Sequence, residues 1–321
     1  MAKSPAARRS AALRRFGVSI TALTALGHTV LGFEQAYLTP VVAVSAAVVA
    51  ELVLDGLEAV VDGRRPRCLG RLGEVVDFLL PAYITGMACA MLLYANDRLL
   101  PTVLAAVVGV AGKYVVRVPV GGRSRHVLNP SNAGIVVVLL LFPWVSVAPP
   151  YEFTEWLTGW WDAVVPALLL IAGTLVNAKL TGRVPLIAAW VGGFVAQALV
   201  RAAVTDVSAV SALLPITGTA FILYTNYMIT DPGTTPTRPR NQVAFGLATA
   251  AVYGLLVHLH VVFGLFFALV TTCVLRAGVL VLAAGRPGWT VPAQRAAVEA
   301  PEPAHQGAGS GRPPAVRARR P

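Results

Sequence analysis

"LLPITGTAFILYTNYMITDPGTTPT", residues 213–237, repeats a phrase already spelled at 79–102, "LLPAYITGMACAMLLYANDRLLPT". Each begins Leu-Leu-Pro, reaches Thr-Gly within a few residues, runs through an apolar stretch and ends in a polar turn closed by Pro-Thr. The first copy lies in the third apolar segment of the chain and the second in the eighth. If ten segments form two halves of five, the copies correspond, and the odd number sets the second half into a membrane with opposite orientation. Inverted repeats with Pro- or Gly-interrupted helices at matching places point to a binding site near the midplane. Proline removes a backbone donor, and lipid offers the freed groups no partner. The echo therefore predicts that Pro81, Thr85 and Gly86 face Pro215, Thr217 and Gly218 across a pseudo-twofold axis. Chance is the open alternative, because Leu, Pro, Thr and Gly are common in membrane helices.

Composition supports a lipid environment. The chain has 321 residues, 56% hydrophobic and 13% charged, where a soluble domain carries about 25% charged. Ten candidate spans fall near 17–36, 40–61, 75–95, 99–117, 133–148, 162–178, 184–203, 209–230, 243–258 and 262–284. About 20 helical residues cross a hydrocarbon layer ~30 Å thick. With the N-terminus inside, every Lys and Arg except Arg98 and Arg201 falls on the inner side, the positive-inside bias of membrane proteins. The reading is an all-α polytopic membrane protein with ten transmembrane helices as two inverted five-helix repeats and both termini cytoplasmic. Residues 1–16 form a basic N-terminus, 17–148 the first half and 149–284 the second. Residues 285–321, rich in Pro, Gly, Ala and Arg, read as a disordered cytoplasmic tail.

The net charge of +11 sits in short clusters beside apolar spans, so the partner it implies is the lipid bilayer and not nucleic acid. Cys68, Cys89 and Cys273 have no metal-ligand spacing, and no metal site is expected. Only three lysines accompany abundant Ala, Val, Arg and Pro. That bias suggests a GC-rich bacterial genome and a multi-pass protein of the bacterial inner (plasma) membrane.

Two inner loops combine a turn-forming Asn-Pro or Asp-Pro with hydroxyl side chains and arginines: "GGRSRHVLNPSNAG", 121–134, and "TDPGTTPTRPRNQ", 230–242. Clustered N–H groups and Arg forks suit an anion; well-made turns beside positive-inside arginines are the other reading. Glu51, Asp55, Glu58 and Asp62 follow one helical face. Ionisable groups in a span line a pathway or pair with one another. Glu51 and Asp55 are thus candidates for a cation or proton path, with pairing to Arg64, Arg65 or Arg276 as the alternative.

These residues carry a resemblance. "ITGMACAMLLYANDRLLPTVLAAVVGVAGKYVVRVPVGGRSRHVLNPSNAG" and "LLPITGTAFILYTNYMITDPGTTPTRPRNQVAFGLATAAVYGLL" resemble the two signatures of the RnfD/NqrB family of ion-translocating, flavin-containing electron-transport subunits. The first family signature leads a Gly-Lys helix through a Gly-rich loop into Phe-Asn-Pro-Ala; the second runs from Ser-Gly-Ala-Thr into Ala-Thr-Asp-Pro. The resemblance implies ten helices in two halves. It also implies cofactor-binding roles for Lys113, Arg125, Asn129, Pro130, Asn132, Thr217, Gly218, Thr219, Asp231, Pro232, Thr234 and Thr235. Covalent attachment in that family uses a Thr in a long outer loop. Here the loop is short, and Thr154 and Thr158 lack the neighbours that segment needs. The implied cofactor is FMN or riboflavin, held noncovalently. The compact form is similar to the branch associated with enediyne antibiotic biosynthesis in actinomycetes, which implies partner subunits of a membrane redox complex or of a biosynthetic assembly. Three functions follow for testing: a flavin-holding electron-transfer subunit coupled to ion movement, a small-solute or product transporter without redox activity, and a non-catalytic scaffold. No P-loop, dinucleotide fingerprint or hydrolase elbow is present.

Overall fold

The computed structural model describes residues 5–120, 123–149 and 155–284. The expected tail, 285–321, and Thr154 lie outside them. Helices dominate: α1 Pro5–Leu26, α2 Leu38–Val61, α3 Leu72–Leu92, α4 Leu100–Val115, α5 Pro130–Leu141, α6 Trp161–Val176, α7 Val184–Val204, α8 Ala209–Leu213, α9 Thr219–Leu223, α10 Pro239–His258 and α11 Gly264–Ala284. A helical segment occupies each of the ten windows, with α8 and α9 sharing the eighth. Four helices, α2, α3, α7 and α11, are long and apolar enough to cross a membrane. The count is five if the pair Ala209–Thr217 and Thr219–Met228, bent by 64°, is one span.

The side-chain distribution within these helices suits lipid. In α2 the buried positions are Ala43, Ala47, Glu51, Asp55 and Ala59, one stripe at i, i+4 spacing. Val49, Val53 and Leu57, each more than half exposed, cover the outer face. A water-soluble helix buries its large apolar residues and exposes its charges; α2 does the reverse. Small residues inside let backbones approach closely, as in membrane bundles. A Cβ on Gly246 of α10 would lie 2.8 Å from the Leu186 carbonyl oxygen of α7. Gly134 of α5 meets the Ala105 carbonyl of α4 more closely still.

Within the first half, α1 packs on α3, α2 on α3 and α4, and α4 on α5. Within the second, α6 packs on α9, α7 on α8 and α10, and α10 on α11. Residues before 149 meet those after it where α11 packs on α5 and on the strand at Arg117–Val120, where α1 meets the turn at 177–181, and through shared core clusters. Helices α1 and α6 also end alike. Each widens into a π-helical turn, Gly27–Leu31 and Asn177–Thr181, and stops at a glycine with positive φ, Gly32 at 83° and Gly182 at 62°. That backbone region is costly for a residue with a Cβ.

Two features differ from the sequence reading. Helix α3 runs through Pro81 without a break, whereas Pro215 and Gly218 do interrupt the eighth segment, through a 3₁₀ turn at Leu214–Thr217. The first Thr-Gly pair packs within its own set of helices. Gly86 abuts the α2 backbone, with a Cβ there falling 2.7 Å from Val44 Cα, and the Thr85 methyl faces Gly109 of α4. Pro215 and Thr217 are exposed. Small side chains draw α3 onto its own half and leave it no reason to bend. The chain is also not purely helical. Strand β1, Leu93–Tyr94, pairs with β4, Ser146–Val147, and β2, Arg117–Val120, pairs with β3, Arg123–His126.

Candidate functional site

The two polar loops come together at the end of the bundle where the arginines collect. Proline explains how. Pro232 has no N–H to give the Met228 carbonyl four residues earlier. That oxygen accepts from Asn129 Nδ2 at 3.2 Å, with Asp231 N more distant at 3.5 Å, and the Asn129 bond ties α5 to the segment before the 231–237 turn. Pro236 likewise cannot serve the Pro232 carbonyl, and Arg183 Nη2 approaches it at 3.5 Å. Arg183 Nη1 donates to the Pro236 carbonyl. From the other side, Arg276 Nη1 donates to the Thr234 carbonyl at 2.6 Å. The 231–237 turn is therefore gripped between two guanidinium groups.

Asp231 shapes the turn from within: Oδ1 accepts from Gly233 N at 3.0 Å and Oδ2 from Thr234 Oγ1 at 2.9 Å. Its carbonyl takes the Thr235 hydroxyl at 2.6 Å. Asn129 is the N-cap of α5. Its Oδ1 accepts from Asn132 N at 3.1 Å and Ser131 Oγ at 3.0 Å, with Pro130 in the first helical turn, where no donor is missed. Asn132, 1% exposed, donates Nδ2 to the Phe266 carbonyl at 3.1 Å. Thr234 and Thr235 are buried too. Most of these candidates hold each other.

The surplus at this junction is positive charge. Arg183 is 3% exposed, and its Nε is buried without a partner. Among the described residues, no salt bridge reaches Arg183 or Arg276. Burial pushes the Arg183 guanidinium below its ordinary range, Asp231 pulls it back and Arg276 adds to the fall. Arg125 lies on the exposed strand β3, next to His126. The His126 ring lies against Gly233, where a Cβ would fall 2.8 Å from Nε2. Arg183 and Arg276 thus converge on a turn whose carboxylate, Asp231, is already engaged by its own backbone and Thr234. Such an arrangement attracts an anion.

The other expected residues lie elsewhere. Lys113 is 11% exposed and forms an ion pair with Glu51, itself 5% exposed; Tyr114 Oη completes that carboxylate at 3.0 Å. Lys113 therefore belongs to a separate charge network under the first half and does not join the arginines. Asp55 accepts from Arg64 Nη2 at 2.8 Å and from Arg67 N at 2.7 Å. Glu58 accepts from Arg64 at 2.8 Å and Arg117 at 2.6 Å. Asp55 raises the Arg64 guanidinium above its usual range, burial works against it and Glu58 adds to the rise. Glu51 and Asp55 face bases, the pairing that the sequence left open beside a pathway. Arg64 is one of the partners read from the sequence; Arg276 serves the 231–237 turn instead. Thr219 is buried at the start of α9, just past Gly218, and Thr217 Oγ1 donates to the Leu214 carbonyl at 2.8 Å.

Sequence reasoning did not single out Arg183 or Arg276 as clamps. The signal was available: prolines at 232 and 236 leave two carbonyls that some side chain has to serve. Among the described residues no group of His, Cys, Asp and Glu could hold a metal ion. In comparison with known proteins, the chain matches no family model and no curated relative.

Proposed function

We propose that the chain is a multi-pass membrane subunit, built of two inverted five-helix halves, that holds a phosphate-bearing flavin noncovalently at its inner junction for electron transfer. The single observation behind the ligand is the cationic junction: Arg183 and Arg276 both hold the 231–237 turn, and among the described residues no salt bridge reaches either. That charge suits the phosphate of FMN and favours it over riboflavin, which carries none. Arg276 and Arg125 would hold the phosphate, Arg183 would add field from below, and Asp231 would keep the turn in shape. When bound, a flavin supplies one- and two-electron transfer. Two features support the inverted halves: the matching packing within each set of five helices and the matching ends of α1 and α6.

The test is binding by protein purified in lipid nanodiscs, read by flavin absorbance and mass. A charge-assisted hydrogen bond contributes about 1.5–3 kcal/mol, so FMN is expected to bind roughly ten- to a hundredfold more tightly than riboflavin. Arg276→Ala should reduce that preference, and Arg125→Ala with Arg276→Ala should erase it. No flavin in the preparation and no uptake of added FMN would overturn the reading, as would equal affinity for the two. A second reading, a small-solute or product transporter, draws on the 64° bend between α8 and α9. It predicts solute flux in proteoliposomes without a redox partner.

A further inference from the structure

The loop that joins α2 to α3, residues 62–71, carries four arginines: Arg64, Arg65, Arg67 and Arg71. Two of them serve the interior. Arg64 pairs with Asp55 and Glu58, both at 2.8 Å, and Arg67 with the same carboxylates at 3.1 and 3.2 Å. Arg65 and Arg71 are exposed, and among the described residues no salt bridge reaches either. An open pocket of about 270 Å³ lies in this loop, lined by Arg65, Arg67, Leu69, Glu74 and Phe78. The Arg67 guanidinium stands over the Phe78 ring at 5.3 Å. The carboxylate on the wall, Glu74, is engaged in the cap of α3, where Oε2 accepts from Arg71 N at 3.1 Å. Large apolar side chains flank the arginines: Leu69 is 74% exposed and Leu72 81% exposed.

We infer that this loop binds an anionic phospholipid, its phosphate on Arg65 in the field of Arg71 and an acyl chain against Leu69 and Phe78. Helices α2 and α3 are both long and apolar enough to cross a membrane, and a loop joining two spans lies at the membrane surface. Basic clusters at that position recognise anionic headgroups, and a guanidinium matches a phosphate with paired donors. A zwitterionic lipid would bring its own cation beside two arginines that already lack a counter-charge. A small soluble anion gains little from exposed guanidinium groups in water. A lipid adds the burial of its chain on the leucines and is held by the bilayer at high local concentration. The site rests on the membrane reading of α2 and α3 and not on flavin binding.

The experiment titrates phosphatidylglycerol or phosphatidylcholine into full-length protein in a neutral detergent and reads the first bound lipid by native mass spectrometry. The wild type is expected to prefer phosphatidylglycerol. Arg65→Gln and Arg71→Gln should each lower its affinity about fivefold, from roughly one unit of headgroup attraction per arginine, and leave phosphatidylcholine unchanged. That unchanged affinity also shows that each variant is folded. Arg240→Gln, at an exposed arginine at the start of α10, should keep the wild-type preference. Equal affinity for the two lipids in the wild type would overturn the proposal. So would an equal loss in Arg240→Gln, which would mean diffuse surface charge. Displacement of the lipid by glycerol 3-phosphate at equal concentration would assign the site to a soluble anion instead. Protein that stays in solution without detergent would overturn the membrane reading and this site together, whereas equal lipid affinities would remove the site alone.

Discussion

Replacing Glu51 with Leu removes one member of a buried pair and strands the other. Lys113 has 11% of its side chain exposed and would keep only Arg67 and Arg117 as charged neighbours, both repulsive. Breaking a buried ion pair from one side costs about 3–5 kcal/mol, whereas replacing both members by apolar residues is often neutral or stabilising. Glu51→Leu and Lys113→Leu are each expected to cost about 3 kcal/mol or more, and the double variant no more than either single one. Tyr114 Oη, which donates to Glu51 at 3.0 Å, loses its acceptor in the double variant, and about 1 kcal/mol of residual loss is assigned to it. Reversible unfolding in mixed micelles with increasing denaturing detergent, run as a double-mutant cycle, reads all four states. Single costs below about 1 kcal/mol that simply add would refute the reasoning. They would mean that water reaches the carboxylate, and Glu51 would again be a candidate for ion passage.

Gly134→Ala drives a methyl into the Ala105 carbonyl, while Gly112 has open space at its Cβ position. The first is expected to lose about 1–3 kcal/mol and the second to be neutral or to gain up to about 1 kcal/mol from helix propensity, both measured by the same unfolding assay. Asn129→Ala removes the N-cap of α5 and the bond to Met228 that joins the halves. A loss of about 2 kcal/mol is expected, with faster amide exchange at 228–235 by mass spectrometry; unchanged exchange there would contradict the proposed link.

The positions of the helices were legible because hydropathy alone decides them; every expected window holds helix. Pro215–Gly218 was legible as a break, since proline is followed closely by glycine. Pro81 was not, because what straightens α3 is the close packing of Gly86 on α2 and Thr85 on α4, information that lies outside the local sequence. The hairpin at 117–126 had a readable signal: Gly121-Gly122 stands between two runs in register, with Val120 opposite Arg123. At the junction, the sequence marked the right loops but exchanged some roles. Asn129, Thr234 and Thr235 use their polar groups on structure. Lys113 meets Glu51 across helices whose pairing no local pattern reveals. The arginines that clamp the turn were read otherwise: Arg183 as positive-inside charge and Arg276 as a possible partner of Glu51 or Asp55.

The inverted arrangement in the proposed function is tested most directly by side-specific labelling of single cysteines. Asp62, Asp97, Asp206, Arg238 and Leu259 are all exposed ends or turns, and each is replaced by cysteine in turn, with Cys68, Cys89 and Cys273 changed to Ser. Positions 97, 206 and 259 are expected to react with an impermeant maleimide in intact cells, and positions 62 and 238 only after permeabilisation. Labelling of 62 and 238 from opposite sides, or of 97 and 206 from opposite sides, would contradict the two-halves account.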